Sequence, residues 1–248
     1  MNKAQRFDTS LPFSHTYPYE DLFRERVPMI ITCQLALAHF RANWVTVGGA
    51  QPGARGEASV KKRMTNNMFW ATECGVYAGN SLIATARLLQ DFGLEYQLIG
   101  LDTFEGLPAI SERDNQFAPE KAVYRTKTLF ADSSISDVEE KLSSEGFRSS
   151  VWLVKGLFAD TLPKLPERTY HFVNIDCDLY DPHIECLEYF YPRMEPGGVI
   201  YFDDYHSVDF PMARHAIDAF LQGKPERLIH MRYGEDGPNH TKTFIVKT

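Results

Sequence analysis

Five aspartates stand in two short clusters whose spacing suits the binding of a divalent metal ion. The first cluster, in HFVNIDCDLYD, contains Asp176, Asp178 and Asp181, and the second, in GGVIYFDDYH, contains Asp203 and Asp204. Asp203 follows Asp176 by 27 positions, enough for one helix and one returning strand, which would place both clusters at the carboxyl edge of a parallel sheet. Carboxylates crowded at one edge repel one another unless a cation lies between them. The spacing therefore predicts an oxygen-lined metal site.

A glycine-containing turn earlier in the chain predicts a second ligand. A short strand ends in Glu73, and Gly75 and Gly79 follow before a helix that begins near Asn80, with Ser81 in its first turn. Glycines let the backbone approach a ligand closely, and a helix start presents free N–H groups. The pattern is neither G-x-G-x-x-G nor a phosphate loop ending in G-K-S/T, which disfavours dinucleotides and nucleoside triphosphates. It suits a ligand with a carboxylate and a ribose, such as S-adenosylmethionine; an ordinary strand–helix turn is the alternative.

The next strand, YQLIGLD, ends at Asp102, which lies 27 positions after Gly75. An acidic residue at that strand end can accept hydrogen bonds from both ribose hydroxyls, and a helix-capping aspartate is the alternative. The spacing fits one strand–helix–strand step and favours the ribose interpretation. Phe104 follows on the loop, where it packs against the cofactor or covers the site, or else is a buried core aromatic.

The rest of the pattern predicts the elements that hold these residues in place. Residues 1–60 form an N-terminal helical or lid extension, with an apolar helix over 27–40 and a glycine-rich linker over 47–59. Residues 61–248 form one domain in which strands alternate with helices. The predicted helices cover 61–70, 81–93, 134–147 (capped by Ser136), 182–194 (capped by Asp181) and 212–223. The predicted strands begin near 71 and then cover 96–102, 149–156, 170–176, 197–205, 227–234 and 241–248. This alternation predicts an α/β fold with a doubly wound, mostly parallel, seven-stranded sheet.

Composition narrows the kinds of partner. The chain has 248 residues and a formal net charge of −7, which argues against nucleic acid and anionic membranes as main partners. The first residues, MNKAQRFDTS, lack the apolar core of a signal peptide, and the helix over 27–40 is too short and too polar to span a bilayer. The four cysteines, Cys33, Cys74, Cys177 and Cys186, are scattered without a CxxC pair. We therefore expect free thiols and a cytoplasmic location.

Glu73, Gly75, Gly79, Asp102 and the two acidic clusters together resemble the class I S-adenosylmethionine-dependent methyltransferases and, more narrowly, the macrocin O-methyltransferase family. The similar stretches are ECGVYAGNS, LDTFEGLP, KGLFADTLP, IDCDLYDPHIECLEYFYPRMEPGGVIYFDDY and the helix with AIDAF. The resemblance implies a Rossmann-like sheet and an enzyme that methylates a hydroxyl of a small molecule, by preference a sugar of an antibiotic or another natural product. It also implies Mg²⁺ bound by Asp176, Asp203 and Asp204 together with two neighbouring oxygens of the acceptor.

Methylation of an alcohol requires a base. Asp176 is the candidate that the resemblance implies, with Asp178 and His206 as alternatives, because His206 follows the second cluster directly and can titrate near neutral pH. His206 is otherwise a hydrogen-bonded loop histidine, and Asp178 otherwise holds its loop through backbone hydrogen bonds. The turn, the ribose position and the resemblance together predict cofactor contacts from Glu73, Gly75, Val76, Tyr77, Gly79, Ser81, Asp102, Thr103, Phe104, Ser133, Gly156, Phe158 and Asp176. A helix cap is the alternative for Ser133, and a core position is the alternative for Phe158.

Three functions compete at this point. A metal-dependent O-methyltransferase uses both ligands, with a catechol-type acceptor as the second choice after a sugar. A metal-dependent hydrolase would use the carboxylates to activate water and would not need a sulfonium cofactor. A non-catalytic binding or assembly protein would not need crowded carboxylates. We expect a homo-oligomer, in which the N-terminal extension shapes the acceptor pocket or a subunit contact.

Overall fold

A seven-stranded sheet forms the centre of the molecule. The computed structural model describes residues 20–48, 68–125, 128–233 and 240–248, with the side chains of the first helix from residue 26 to residue 42. Within these residues the strands are β1 (Phe69–Cys74), β2 (Tyr96–Asp102), β3 (Val151–Lys155), β4 (Tyr170–Ile175), β5 (Met194–Phe202), β6 (Ile229–Arg232) and β7 (Thr241–Val246). Every residue of β1 is buried, as is the interior of β2, because helices cover both faces of the sheet.

The strand order is β3-β2-β1-β4-β5-β7-β6. Strands β1 to β5 are parallel to their neighbours, whereas β7 runs antiparallel between β5 and β6. The chain therefore winds outward from β1 in one direction and, after β3, returns to the other side through β4. Such a reversal of strand order opens a crevice at the carboxyl ends of the central strands, here β1 and β4. The predicted α/β class and the mostly parallel seven-stranded sheet are confirmed.

The helices that surround the sheet in the described residues are α1 (Glu20–Gly48), α2 (Asn80–Asp91), α3 (Glu112–Phe117), α4 (Ile135–Ser144), α5 (Phe158–Thr161), α6 (Tyr180–Phe190) and α7 (Pro211–Leu221). Helix α1 contains the predicted helix over 27–40, and it packs on β4, β5 and α2. Its apolar face joins the main core through Met29, Cys33 and Leu37. The predicted domain boundary at residue 60 and most of the glycine-rich linker lie outside the described residues. No helix in the described part of the chain is long and apolar enough to cross a membrane.

Three predicted details are wrong. Phe69 and Trp70 belong to β1, not to a helix over 61–70, because their side chains extend the buried apolar run of that strand; residues 61–67 lie outside the described ranges. Ser134, not Ser136, caps α4, and it forms a capping box with Asp137. Asp181 lies inside the first turn of α6, where it forms an ion pair with Arg113, and the cap position is taken by Leu179.

A long connection joins β2 to α4, and its described residues, 103–125 and 128–134, form a cover over the crevice, called the cover over 103–134 below. It contains α3, which begins with a capping box between Ser111 and Asp114. The buried Asp114 carboxylate also accepts a hydrogen bond from the backbone N–H of Tyr180, at 2.7 Å. Tyr124 donates to the carbonyl of Asp209 at 2.7 Å. These bonds attach the cover to the start of α6 and to the loop before α7.

The C-terminal end of the chain is anchored on the buried carboxylate of Glu226. Lys247 Nζ donates to this carboxylate at 2.8 Å, the backbone N–H of Thr248 donates at 3.3 Å, and the hydroxyl of Tyr191 donates to the other oxygen. Burial raises the pKa of Glu226, but the hydrogen bonds from Lys247, Tyr191 and the backbone outweigh burial and lower the pKa to about 2. The ionised form is therefore the one that stabilises the fold.

Glu226→Gln is expected to lower the free energy of unfolding at neutral pH by about 1–3 kcal/mol, because it removes a charged partner from buried donors. The folded-state pKa lies below the unfolded value, so this contribution is present above about pH 4.3 and is lost as the pH falls toward about 2. Urea titrations of the wild type and the variant at neutral and acidic pH measure the difference, which should shrink in acid. Glu167→Gln is the matched control, since Glu167 is 78% exposed and pairs with Arg193 at the surface. An equal loss in both variants would contradict the buried-anchor explanation.

Candidate active site

The two acidic clusters meet at the carboxyl ends of β4 and β5. Asp176 directly follows β4, and Asp203 and Asp204 directly follow β5. Parallel pairing continues to the cluster, because the backbone N–H of Asp203 donates to the carbonyl of Ile175 at 3.1 Å. One carboxylate oxygen from each aspartate lies within 4.8 Å of the other two, and no other group in the described residues meets this criterion for a metal site. The juxtaposition predicted from the spacing is therefore present.

Two carboxylates of this cluster, those of Asp176 and Asp204, resist ionisation. Burial, followed by the charges of Asp203, Asp204 and Asp178, raises the pKa of Asp176 well above its ordinary value. Burial and the charge of Asp203 raise the pKa of Asp204 to about 7, although its carboxylate accepts a hydrogen bond from the backbone N–H of Asp178 at 3.0 Å. Protons or a cation must therefore balance the negative charge here.

Lys242, on β7, supplies one positive charge that the sequence analysis did not identify. Its ammonium donates to the carboxylate of Asp203 at 2.5 Å and to the carbonyl of the same residue at 3.0 Å. Burial lowers the pKa of Lys242, but the charges of Asp203, Asp176 and Asp204 outweigh burial and raise it, so the side chain stays protonated. A protonated lysine cannot act as the base of the site. It balances the negative charge of one of the three carboxylates, that of Asp203.

The donor set fits a hard divalent cation. Mg²⁺ prefers carboxylate oxygens in octahedral geometry and retains several waters, so three converging carboxylates are sufficient protein ligands. Asp176, Asp203 and Asp204 are the residues that would hold it.

The elevated pKa values predict how Mg²⁺ should affect thermal stability at different pH. The folded-state pKa of Asp204 lies near 7, above its unfolded value of about 3.9, so the stability of the metal-free protein should fall as the pH rises between these values. Added Mg²⁺ relieves the repulsion, so it should raise the melting temperature clearly at about pH 8 and little at about pH 5, where protons compete for the oxygens. Thermal unfolding with Mg²⁺ or with a chelator measures this shift. Asp204→Asn should raise the melting temperature of the metal-free protein at the higher pH, and an Mg²⁺ shift of equal size at both pH values would contradict the prediction.

A cavity of about 330 Å³ opens beside the cluster, and we call it the first cavity. One wall is the turn between β1 and α2, where Gly75 has φ +93° and its backbone N–H donates to the carbonyl of Leu101 at 2.9 Å. The cover over 103–134 forms the opposite wall through Leu107, Pro108 and Phe130. The predicted cofactor residues that line this cavity are Gly75, Val76, Tyr77, Ser81, Asp102, Thr103, Gly156, Phe158 and Asp176.

Glu73 stabilises this turn from its buried side. Its side chain is buried and accepts a hydrogen bond from Ser81 at 2.6 Å, which joins the end of β1 to the start of α2. Burial raises the pKa of Glu73 to about 7, and the Ser81 bond partly offsets the effect of burial. Among the described residues its second oxygen has no hydrogen-bond partner. Glu73 therefore acts on the first cavity through the turn and does not line it.

Asp102 holds the turn in shape with three backbone hydrogen bonds. Its carboxylate accepts the N–H groups of Val76 at 2.7 Å, Tyr77 at 2.9 Å and Phe104 at 2.7 Å. The hydroxyl of Thr103 lies 3.4 Å from this carboxylate, but it is closer to the carbonyl of Gly106, at 2.6 Å. If its proton goes to Gly106, about one of the four acceptor positions of the carboxylate is left for a ligand hydroxyl. That Asp102 binds ribose stays a prediction, and the geometry leaves room for one hydroxyl, not two.

The other predicted cofactor residues lie around the first cavity at varying depth. Phe104 is 6% exposed and belongs to the main core, with φ +50°. Ser133 donates to the carbonyl of Tyr77 at 3.0 Å and so fastens the cover to the glycine turn. Gly79 has φ +78° at the start of α2, next to Val138 of α4. Phe104, Ser133 and Gly79 are not among the residues that line the first cavity.

His206 lies in the turn after β5, and its Nε2 is 3.3 Å from Nδ1 of His230. Burial, followed by the charge of His230, lowers its pKa. The first cavity is not lined by His206, whereas Asp176 and Asp178 both line it. Among the candidate bases, the two aspartates are therefore the ones that border this cavity.

Comparisons with known proteins place the chain among O-methyltransferases. The model of the macrocin O-methyltransferase (TylF) family matches residues 60–229, well over half of the chain. The mycinamicin III 3''-O-methyltransferase of Micromonospora griseorubida is 26% identical over 151 residues, which cover 60% of this chain and 58% of that enzyme. A tetracenomycin rhamnosyl 4'-O-methyltransferase of Streptomyces olivaceus is 29% identical over 135 residues, which cover 54% of this chain and 51% of that enzyme. The chain thus spans little more than half the length of these curated relatives.

Two solved structures share the fold. The O-methyltransferase NovP superposes with a TM-score of 0.66 at 20% identity, covering 90% of this chain and 80% of that protein. The calicheamicin methyltransferase CalS11 superposes with a TM-score of 0.53 at 17% identity, covering 99% of each chain. At these identities the likeness concerns the fold, and it agrees with a Rossmann-like sheet of the methyltransferase type.

Proposed function

Because the chain belongs to the macrocin O-methyltransferase family, we propose that it transfers the methyl group of S-adenosylmethionine to a hydroxyl of a small molecule in an Mg²⁺-dependent reaction. The observation that carries this proposal is the position of Asp176. This residue lines the first cavity and also belongs to the three-carboxylate cluster. One residue therefore borders the space for a methyl donor and the space for a metal-held oxygen.

The residues of the glycine turn would bind and orient the methyl donor. The turn at Gly75 and the N-terminus of α2 would receive its carboxylate through backbone N–H groups. Asp102 would accept one ribose hydroxyl. The adenine would lie toward Gly156 and Phe158, which line the far part of the first cavity together with the exposed side chain of Leu157. The cover over 103–134 would exclude water from this space.

The aspartates would hold the acceptor and remove its proton. Mg²⁺, held by Asp176, Asp203 and Asp204, would supply positive charge that favours an alkoxide and fixes the acceptor oxygen. Asp176 borders both the first cavity and the cluster, so its carboxylate would lie within reach of the acceptor hydroxyl and would accept its proton. Lys242 would keep Asp203 in one orientation. Much of the rate gain would come from positioning, since a held oxygen and a held methyl group react as one unit.

The proposed acceptor is a sugar of a natural product. One similar protein is named for methylation of a rhamnosyl-tetracenomycin, a second is a mycinamicin III 3''-O-methyltransferase, and a third, from Streptomyces niveus, is a demethyldecarbamoylnovobiocin O-methyltransferase. A catechol-type acceptor is the second candidate, because its neighbouring oxygens also suit Mg²⁺. A hydrolase would need no sulfonium donor and would leave the glycine turn without a purpose.

Mass spectrometry of hydroxylated acceptors tests the proposal. Glycosides, catechols and glycosylated antibiotics would be incubated with S-adenosylmethionine, with Mg²⁺ or with a chelator. The expected result is the gain of one methyl group only when Mg²⁺ is present. Calorimetry is expected to show binding of S-adenosylmethionine in both conditions. Absence of this binding would favour the hydrolase, and turnover that is unchanged by the chelator would contradict the metal role.

A further inference from the structure

Lys242 is a mostly buried cation at the edge of the carboxylate cluster. Its side chain is 15% exposed, and its ammonium donates to the carboxylate of Asp203 at 2.5 Å and to the carbonyl of the same residue at 3.0 Å. Two bonds to one residue fix the ammonium beside the cluster. Burial of an ammonium opposes folding unless the charge is paired, so a lysine at this position calls for an explanation.

The hydrogen bonds of Asp203 do not by themselves require a charged donor. Its Oδ2 accepts from Lys242, and its Oδ1 accepts from the hydroxyl of Tyr201 at 3.3 Å, a side chain that is 1% exposed. A neutral hydroxyl or amide could donate in place of the ammonium and would cost less to bury. What a lysine adds here is therefore its positive charge.

The charge of Lys242 acts on the rest of the cluster as well as on Asp203. Burial and the neighbouring carboxylates raise the pKa values of Asp176, Asp178 and Asp204, and the charge of Lys242 opposes this effect at all three. When ionised, the three carboxylates of the proposed metal site and the ammonium carry three negative charges and one positive charge, hence a net charge of −2. One divalent cation balances this charge. Without the ammonium, the same site would match a trivalent cation.

Lys242 reaches the cluster from the side that faces away from the first cavity. Together with Asp176 and Asp203 it lines a cavity of about 260 Å³. Neither Lys242 nor Asp203 is among the residues that line the first cavity. An effect of the ammonium on cation binding can therefore be separated from an effect on the methyl donor.

We propose that Lys242 matches the carboxylate cluster to a divalent cation, because its ammonium lowers the affinity of the site for every cation and disfavours trivalent cations most. This inference rests on the proposed function, since it takes Asp176, Asp203 and Asp204 as the metal ligands. The repulsion between the ammonium and a bound ion grows in proportion to the charge of the ion. Removal of the ammonium should therefore strengthen trivalent binding more than divalent binding.

Cation titrations of charge variants measure this effect. The probes are Mg²⁺ and Tb³⁺, titrated by calorimetry into the metal-free, full-length protein at a pH of about 8. Lys242→Met is expected to raise the affinity for Mg²⁺ about tenfold and that for Tb³⁺ about thirtyfold, because the repulsion removed is about one and a half times larger for the trivalent ion. Lys242→Gln also removes the charge but keeps an N–H donor for Asp203, which protects the fold, and it should behave in the same way. The larger radius of Tb³⁺ affects the wild type and the variants alike, so it cancels from the comparison.

Two further variants and the methyl donor serve as controls. Lys242→Arg keeps the charge and should change both cation affinities less than about threefold. Lys155→Met removes a positive charge from the surface, where Lys155 is 44% exposed and pairs with Glu105, and solvent and salt screen this charge. It should change both affinities less than about twofold. The Kd for S-adenosylmethionine should also change less than about twofold in every variant, which shows that each one is folded.

The sign of the change separates a role of the charge from a purely structural role. If Lys242 only orients Asp203, its loss weakens the binding of both cations, and that result would overturn the proposal. Unchanged affinities, or equal gains for Mg²⁺ and Tb³⁺, in Lys242→Met and Lys242→Gln would also overturn it and would leave the proposed metal site in place. Wild-type protein that binds S-adenosylmethionine but neither cation would overturn the metal role in the proposed function and this inference with it.

Discussion

Asp176→Asn is expected to reduce methyl transfer by at least about 10³-fold while S-adenosylmethionine binding weakens no more than about tenfold. The change keeps the size of the side chain and removes its charge. The backbone of residue 176 should stay in place, since its N–H donates to the carbonyl of Cys74 at 2.9 Å regardless of the side chain. The loss should therefore fall on the chemical step and on metal affinity.

Loss of the Asp176 charge should affect both the chemical step and metal affinity. This carboxylate belongs to the three-carboxylate cluster and also lines the two neighbouring cavities, of about 330 Å³ and about 260 Å³. An amide cannot accept the hydroxyl proton, and it is a weaker Mg²⁺ ligand than a carboxylate. Single-turnover rates measure the first effect, and calorimetric titration with Mg²⁺ measures the second. Both should change in this variant.

Asp178→Asn tests whether Asp176 or its neighbour Asp178 is the base. Asp178 has φ +61°, a conformation that asparagine tolerates as well as aspartate, so the backbone bond to Asp204 should persist. If Asp176 is the base, this variant should retain most of the rate, whereas Asp91→Asn, at the exposed end of α2, should retain all of it. A near-normal rate in Asp176→Asn combined with a collapse in Asp178→Asn would move the base to Asp178.

The parallel part of the fold was predictable because buried strands leave a clear pattern. The run YQLIGLD coincides with β2 (Tyr96–Asp102), since a strand covered on both faces is mostly apolar and this one ends at Asp102. The same logic brought Asp176 and Asp203 together, because parallel strands end at one edge of a sheet. The cover over 103–134 has no such periodicity. Its shape depends on single contacts, such as the bond from Tyr180 N–H to Asp114, that no local pattern announces.

The part of the site that the sequence analysis missed depends on how β7 enters the sheet. Phe202 of β5 is paired with Thr243 of β7, so Lys242 comes to lie beside Asp203. Lys242 lies 39 positions after Asp203 in the sequence, and the antiparallel register of β7 against β5 brings the two residues together. The same insertion carries Tyr233 and His240 to a cavity that Asp176 and Asp203 also line. The sequence alone does not indicate the contact between Lys242 and Asp203, because a lysine in a strand of alternating polar and apolar residues usually faces solvent.

Gly75→Ala is expected to have the largest effect on structure. A Cβ at Gly75 would lie 1.6 Å from the carbonyl oxygen of Asp176, a backbone atom that cannot move without displacing the end of β4. The residue also has φ +93°, which is strained for any side chain. The strain costs about 1–3 kcal/mol and the overlap about as much again, so we expect a loss of about 2–6 kcal/mol in the free energy of unfolding.

The same substitution should disable both halves of the site, because the glycine turn packs directly against the backbone of Asp176, the first aspartate of the proposed metal site. S-adenosylmethionine and Mg²⁺ binding should each fall at least about 100-fold in calorimetric titrations at low temperature, where the variant remains folded by circular dichroism. Gly93→Ala is the matched control, since Gly93 has φ +63° but a Cβ there would meet nothing within 4 Å. That variant should lose about 1 kcal/mol and bind both ligands normally. Wild-type affinities in a folded Gly75→Ala protein would show that the turn and Asp176 move independently, and the coupling between them would then be wrong.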